Sequence, residues 1–184
     1  YTTGGSNVAL GANALYSNTT ASYNNAFGYE ALYSNTTTQH NNAFGWQSLK
    51  YNDGGISNSG FGDRTLGLNT TGDNNTAMGY MALYSNTTAS NSTAVGYQAG
   101  YSNTTGTNLT AVGKDALKAN TTGASNTAVG NTSLDANTTG SNNTAIGQDA
   151  LGAATTADSN TAVGLSALKL NETGHSNVAV GKDA

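Results

Sequence analysis

The chain has 184 residues, six Lys and Arg against ten Asp and Glu, a formal net charge of −4, no cysteine and no proline. That composition lacks the basic stripe of a nucleic-acid binder and the polybasic patch of a protein held on anionic lipid. It also lacks thiols for a disulfide framework or a thiolate metal site, and no apolar run approaches the ~18 residues of a membrane span. Gly, Asn, Ser and Thr abound without the proline of loop-rich or disordered chains, so most backbone N–H groups are wanted as donors, as in a ladder.

One glycine recurs at a constant spacing of 17 residues, from Gly11 through Gly28 and Gly45 to Gly164 and Gly181, with no insertion or deletion. With this glycine as position five, the eleven copies share the pattern N-T-A-V-G-x-x-A-L-x-x-N-T-T-G-x-N. A disordered chain has no reason to keep phase, and a helical repeat is longer and poorer in glycine. A unit of this length suits one coil of a parallel β-solenoid, each coil stacked about 4.8 Å above the last. The reading is all-β: residues 1–184 form one β-solenoid (β-roll) domain of about eleven 17-residue coils, in a rod about 50 Å long.

Taken in order along a unit, Asn at position one is predicted to stack into an amide ladder. Positions two to four form a strand whose side chains alternate, so the Thr and Val of TAV share one face and Ala takes the other. With the larger residue assigned to the coil's own core, Ala points away from it. Ala holds position three in every copy except at Gly60, so a second chain is expected to pack closely against it; the alternative is that both faces of the strand line one narrow interior. Glycine at position five allows a positive φ at a corner, and Leu at position nine is sent inward. Asn at position twelve forms a second ladder, and N-T-T-G is read as a turn or a cornered strand. The chain begins at position twelve of one unit and stops at position eight of another, without an obvious cap, so a segment of a longer fibre is expected.

Three stretches, NNTAIGQDA (142 to 150), SNTAVGLSA (159 to 167) and SNVAVGKDA (176 to 184), resemble the head repeats of trimeric autotransporter adhesins. That signature is Asn, a small polar residue, an apolar one, Ala, an apolar one, Gly, two variable residues and a small one. The resemblance recurs in every copy. It implies a left-handed β-roll, three chains side by side as a homotrimer, export to a bacterial cell surface, and binding to host matrix, surface glycans or other cells. Similar repeats occur in phage tail fibres, so a phage tail-fibre shaft or receptor-binding segment is the alternative.

Candidate chemistry follows the positions that vary. All ten Tyr, all three Phe and the single Trp lie at or before residue 101, and ten of the sixteen charged residues lie after it. Position six carries Tyr29, Trp46, Tyr80 and Tyr97, and position ten carries Tyr16, Tyr33, Tyr84 and Tyr101. These are the candidate surface contacts, for sugars or partner fibres; the competing role is cross-coil stacking that stabilises the sheet. The N-T-T element makes sequons of Asn18, Asn35, Asn69, Asn86, Asn103, Asn120 and Asn137, acceptors for N-glycans in a eukaryotic secreted chain. Further sequons fall at Asn74, Asn91, Asn108, Asn131, Asn142 and Asn171.

His40 and His175 stand eight repeats apart, too far for a catalytic constellation within one chain. Asp115, Asp149 and Asp183 share position seven, beside Lys114 and Lys182 in two cases, and read as a solvated edge rather than a calcium site. No catalytic residue, metal or cofactor is expected. The adjacent threonines of positions thirteen and fourteen make an ice-binding solenoid a lesser alternative. The expected function is a non-enzymatic extracellular fibre segment or adhesin head, on a cell surface or a virion, whose partner is itself, as trimer or filament.

Overall fold

A computed structural model describes residues 3–184 of the chain; Tyr1 and Thr2 lie outside the described residues. Each repeat supplies one three-residue strand, from β1 (Val8–Leu10) to β11 (Val178–Val180), and the eleven strands form one parallel sheet in sequence order. The register is one repeat: Thr110, Ala111 and Val112 pair with Thr127, Ala128 and Val129. The chain is therefore a parallel β-solenoid of about ten turns.

Backbone pairing continues round the rest of the coil. Leu117 N–H donates to the Ser133 carbonyl at 3.0 Å, Thr121 N–H to the Thr138 carbonyl at 2.8 Å, and Asn142 N–H to the Ala124 carbonyl at 3.0 Å. A proline at any of these positions would remove a donor and leave the facing carbonyl unpaired, which is the physical sense of a proline-free sequence.

The corners are built from left-handed residues. Glycine at position five has φ between +122° and +139°, a region closed to other residues. A Cβ on Gly130 would also stand 2.5 Å from the Gly147 carbonyl oxygen of the next coil. Position seven, position nine and position seventeen are left-handed as well, in every coil and mostly without glycine: Asp149 has φ +55°, Leu151 +51° and Ser159 +59°. A leucine in this region costs about 1–2 kcal/mol. The N-T-T-G element, expected to turn or corner because Asn and Gly tolerate left-handed backbone, contains no positive φ.

The interior is narrow and half polar. Leucine at position nine is fully buried from Leu32 to Leu151, as are the Ala residues of position three from Ala26 to Ala162 and of position eight from Ala31 to Ala167. Away from the end coils, Asn at positions one and twelve is buried too, from Asn24 to Asn160, and the ladders form as predicted. At position twelve, Asn86 Nδ2 donates to Asn69 Oδ1 at 2.7 Å, and Asn120 Nδ2 to Asn103 Oδ1 at 2.9 Å. At position one, Asn58 N–H donates to Asn41 Oδ1 at 3.0 Å. Both columns converge on the carbonyl of position fifteen: Gly72 O accepts from Asn58 Nδ2 at 2.7 Å and from Asn69 Nδ2 at 3.0 Å. Buried amides satisfied in this way rigidify the coil.

The strand faces the opposite way from the expectation. Ala at position three points inward: Ala26, Ala43, Ala77, Ala94 and Ala128 are completely buried within one chain. The apolar residues of position four point outward, with Phe61, Met78 and Ile146 exposed and Phe27, Phe44, Val95, Val112 and Val129 half-buried. Space decides this. Position eight lies across from position three, so that a Cβ on Gly60 would come 2.6 Å from Ser48 Oγ and 2.7 Å from Thr65 Oγ1. Leucine and two asparagines already fill the coil, and only a methyl group fits opposite them. The constancy of Ala is an internal packing requirement, and the second chain inferred from it loses that support.

Candidate functional site

With the interior fully committed, chemistry is left to the outward columns. At position six, Tyr29, Trp46, Tyr80 and Tyr97 are all exposed. At position ten, Tyr16 is exposed and Tyr33, Tyr84 and Tyr101 are half-buried. The coil spacing brings neighbours in a column into stacking range. Tyr16 and Tyr33 stack with centroids 5.1 Å apart, Tyr80 and Tyr97 at 5.4 Å, and Tyr84 and Tyr101 at 5.6 Å. Six of the eight candidate contact residues thus stack on one another; Tyr29 and Trp46 do not. Stacking and surface recognition are compatible, because the outermost faces and hydroxyls stay open.

Two ladders were not anticipated. Phe27, Phe44 and Phe61 stack along position four at 4.6 and 5.0 Å, and Tyr23 stacks on His40 at position seventeen, 5.2 Å apart. His40 is thereby a stacking partner, and His175 lies eight coils away on an exposed edge.

A cluster of charges interrupts the aromatic columns in coils two to four. Lys50 Nζ lies 2.7 Å from Glu30 Oε2, and Gln47 Nε2 donates to the same oxygen at 2.8 Å. These two donors hold the Glu30 carboxyl below the usual carboxylate range, while Glu30 raises the Lys50 ammonium and the neighbouring Tyr29 phenol. Lys50 also sits 5.2 Å from the Tyr51 ring centre. The Arg64 guanidinium lies over the Trp46 ring at 4.3 Å, a cation–π contact, and among the described residues it pairs with no carboxylate.

The other predicted residues fall elsewhere. Asn35, Asn69, Asn86, Asn103, Asn120 and Asn137 are completely buried, and Asn18 is half-buried with its Oδ1 accepting from Ala21 N–H at 2.9 Å. The amide nitrogens of the first six are enclosed within the coil, so the folded coil has no room for a glycan on them. Exposed sequons occur instead at Asn74, Asn91, Asn108 and Asn142 of position seventeen and at Asn131. Asp115 pairs with Lys118 at 3.1 Å and Asp149 with Lys169 at 3.2 Å, which makes position seven a salt-bridged edge. Among the described residues no three His, Cys, Asp or Glu side chains gather as for a metal ion, and no helix is long and apolar enough to cross a membrane.

The threonine columns are split in role. Position thirteen turns its hydroxyls to the backbone, as where Thr87 Oγ1 donates to the Thr104 carbonyl at 3.0 Å and Thr104 Oγ1 to the Thr121 carbonyl at 2.9 Å. Only position fourteen presents a free column, one file of hydroxyls rather than the two-file face an ice-binding surface was expected to need.

No family model, no curated protein and no solved structure matches the chain. Its functional reading therefore stands on the residues and their geometry.

Proposed function

We propose that the chain is a non-enzymatic segment of an extracellular fibre, a structural and adhesive rod in which copies of the chain lie side by side. The observation that carries this reading is the outward column of position four. In all eleven coils it holds an apolar residue, from Leu10 through Phe44 and Met78 to Val180, although nothing inside the coil requires one there. Continuous apolar surface of this kind marks an interface, and a column that repeats every coil matches the same column on a second or third copy. A three-chain bundle, as the resemblance to autotransporter head repeats implies, closes the columns around one axis; the setting would be a cell surface or a phage tail fibre.

Sedimentation of the isolated chain tests this directly. The expected result is a trimer, or another closed oligomer, that dissociates to folded monomers when Phe44, Val112 and Ile146 are all replaced by Asp. A wild-type chain that remains monomeric at high concentration overturns the reading. The adhesive part is tested by cell or matrix attachment of Tyr29→Ala, Trp46→Ala and Tyr97→Ala variants, whose circular dichroism should match wild type.

A further inference from the structure

Coils three and four depart most from the repeat, and their departures gather on one stretch of surface. Position ten runs Tyr33, Lys50, Gly67, Tyr84, Tyr101, so the column loses its rung at Gly67. The result is a cleft of about 170 Å³ between Lys50 and Tyr84. Gly67 forms its floor, and a Cβ there would stand only 2.9 Å from Tyr84 Cε2. Tyr84 is backed by Tyr101 on the next coil. Gln47, Tyr51, Arg64 and Leu68 complete the lining. Gly67 has no positive φ, so backbone geometry does not demand a glycine there.

We propose that this cleft binds a single acidic sugar residue, a uronic or sialic acid of a surface or matrix glycan. Its volume lies below the ~300–1,000 Å³ of drug-sized pockets and suits one pyranose ring. The Cδ2–Cε2 edge of Tyr84, which overhangs Gly67, gives a sugar C–H group a small apolar contact in an otherwise polar cleft. Among the described residues Arg64 has no carboxylate partner; its guanidinium lies over Trp46, and a sugar carboxylate matches its two-pronged donor geometry. The Gln47 amide and the Tyr51 phenol supply hydrogen bonds for ring hydroxyls. Lys50, already paired with Glu30, contributes long-range positive potential rather than a direct bond. The inference deepens the adhesive part of the function above and does not depend on self-association.

Trp46 is the only tryptophan of the chain, so its fluorescence reports directly on the Arg64 contact. The experiment titrates a hyaluronan tetrasaccharide, and separately sialyllactose, into the wild-type chain and into the position-four aspartate variant that disrupts lateral packing, with calorimetry in parallel. Saturable binding of at least one saccharide by both chains is expected. Arg64→Gln should weaken it by about tenfold or more. Gly67→Tyr, which puts a ring back into the column beside Tyr84 and displaces the Tyr84 edge that overhangs Gly67, should abolish it while the circular dichroism of the solenoid stays that of wild type. Binding is also expected to fall with added salt and to vanish for the carboxyl-reduced saccharide. No binding of either saccharide at millimolar concentration, equal binding of the reduced form, or undiminished binding by Gly67→Tyr each overturns the proposal. Failure of self-association alone, with binding intact in both chains, overturns only the assembly.

Discussion

Up to Tyr101 the outer columns carry rings, stacked from coil to coil; downstream the same columns carry Lys114, Lys118, Asp135 and Lys169. The inner columns show no such division. Leu32 and Leu134 are buried alike, Ala26 and Ala128 alike, and Asn35 and Asn137 alike. One scaffold has been decorated twice, with cross-coil stacking, interrupted by the Glu30–Lys50 pair, in one half and ion pairs alone in the other. Stability should therefore depend on which column is altered, and recognition on which half.

The largest expected effect tests the sameness of the scaffold. Gly45→Ala and Gly130→Ala each place a Cβ within about 2.5 Å of the next coil's glycine carbonyl, at φ +138° and +139°. Each should cost at least about 3 kcal/mol, and the two losses in chemical denaturation should agree. Gly152→Ala, at outward position ten with no positive φ and its nearest neighbour at 3.2 Å, should change little. A large difference between the two position-five variants would mean that the halves are not one scaffold.

Next comes the core. Leu32→Ala and Leu134→Ala should each destabilise by about 2–5 kcal/mol, again equally, as measured by thermal unfolding. Coil six already shows how the interior absorbs such a loss. Its position nine is Gly100, and Leu83 Cδ2 lies 2.9 Å from where a Cβ would stand, leaning into the space.

A smaller and opposite effect is available downstream. Ala154 interrupts the position-twelve amide column, and Asn137 Oδ1 beneath it is buried without a hydrogen-bond partner. Ala154→Asn restores the donor that Asn86 supplies to Asn69, and should raise stability by about 1 kcal/mol. Equal or lower stability in calorimetry would show that the gap is closed some other way.

The smallest effects lie in the decoration. Tyr80→Ala should remove about 0.5–1.5 kcal/mol of stacking. At the charged end, burial pushes the Asp135 carboxyl up, whereas bonds from Thr132 and Lys169 hold the Asp149 carboxyl down. A raised folded-state pKa means a penalty that is absent below the unfolded pKa and complete above the folded one. Asp135→Asn should therefore raise the melting temperature slightly at pH 7, with the gain fading as pH falls through the carboxylate range. Asp149→Asn should lower it at pH 7, with the loss fading towards acid as the folded carboxyl itself takes up a proton.

The sequence carried the register, the amide columns and the inward leucine, because each of these depends on a residue type that recurs at one phase. It did not carry the sense of the strand. In T-A-V one residue faces one way and two the other, and the rule that places the larger side chain inside gives the wrong face. The space is already taken by residues from positions one, eight, nine and twelve. The left-handed corners were equally hidden, since Leu at position nine and the mixed set at position seven have no composition that marks φ. Sequons failed for a related reason: a three-residue motif does not say whether its amide is inside. The cleft at Gly67 was visible only as a departure from the repeat, beside Arg64 and Lys50, and needed the third dimension to become a shape.

The backbone bonds between coils link each coil to the next along the stack, so a pull on its two ends is carried in series, and an end coil, held on one side only, yields before those inside. The end coil peels first, releasing its 17 residues and about 50 Å of slack before the next gives way. A fibre made this way yields in small repeated steps, dissipating a tug that would snap a tether whose bonds all fail at once.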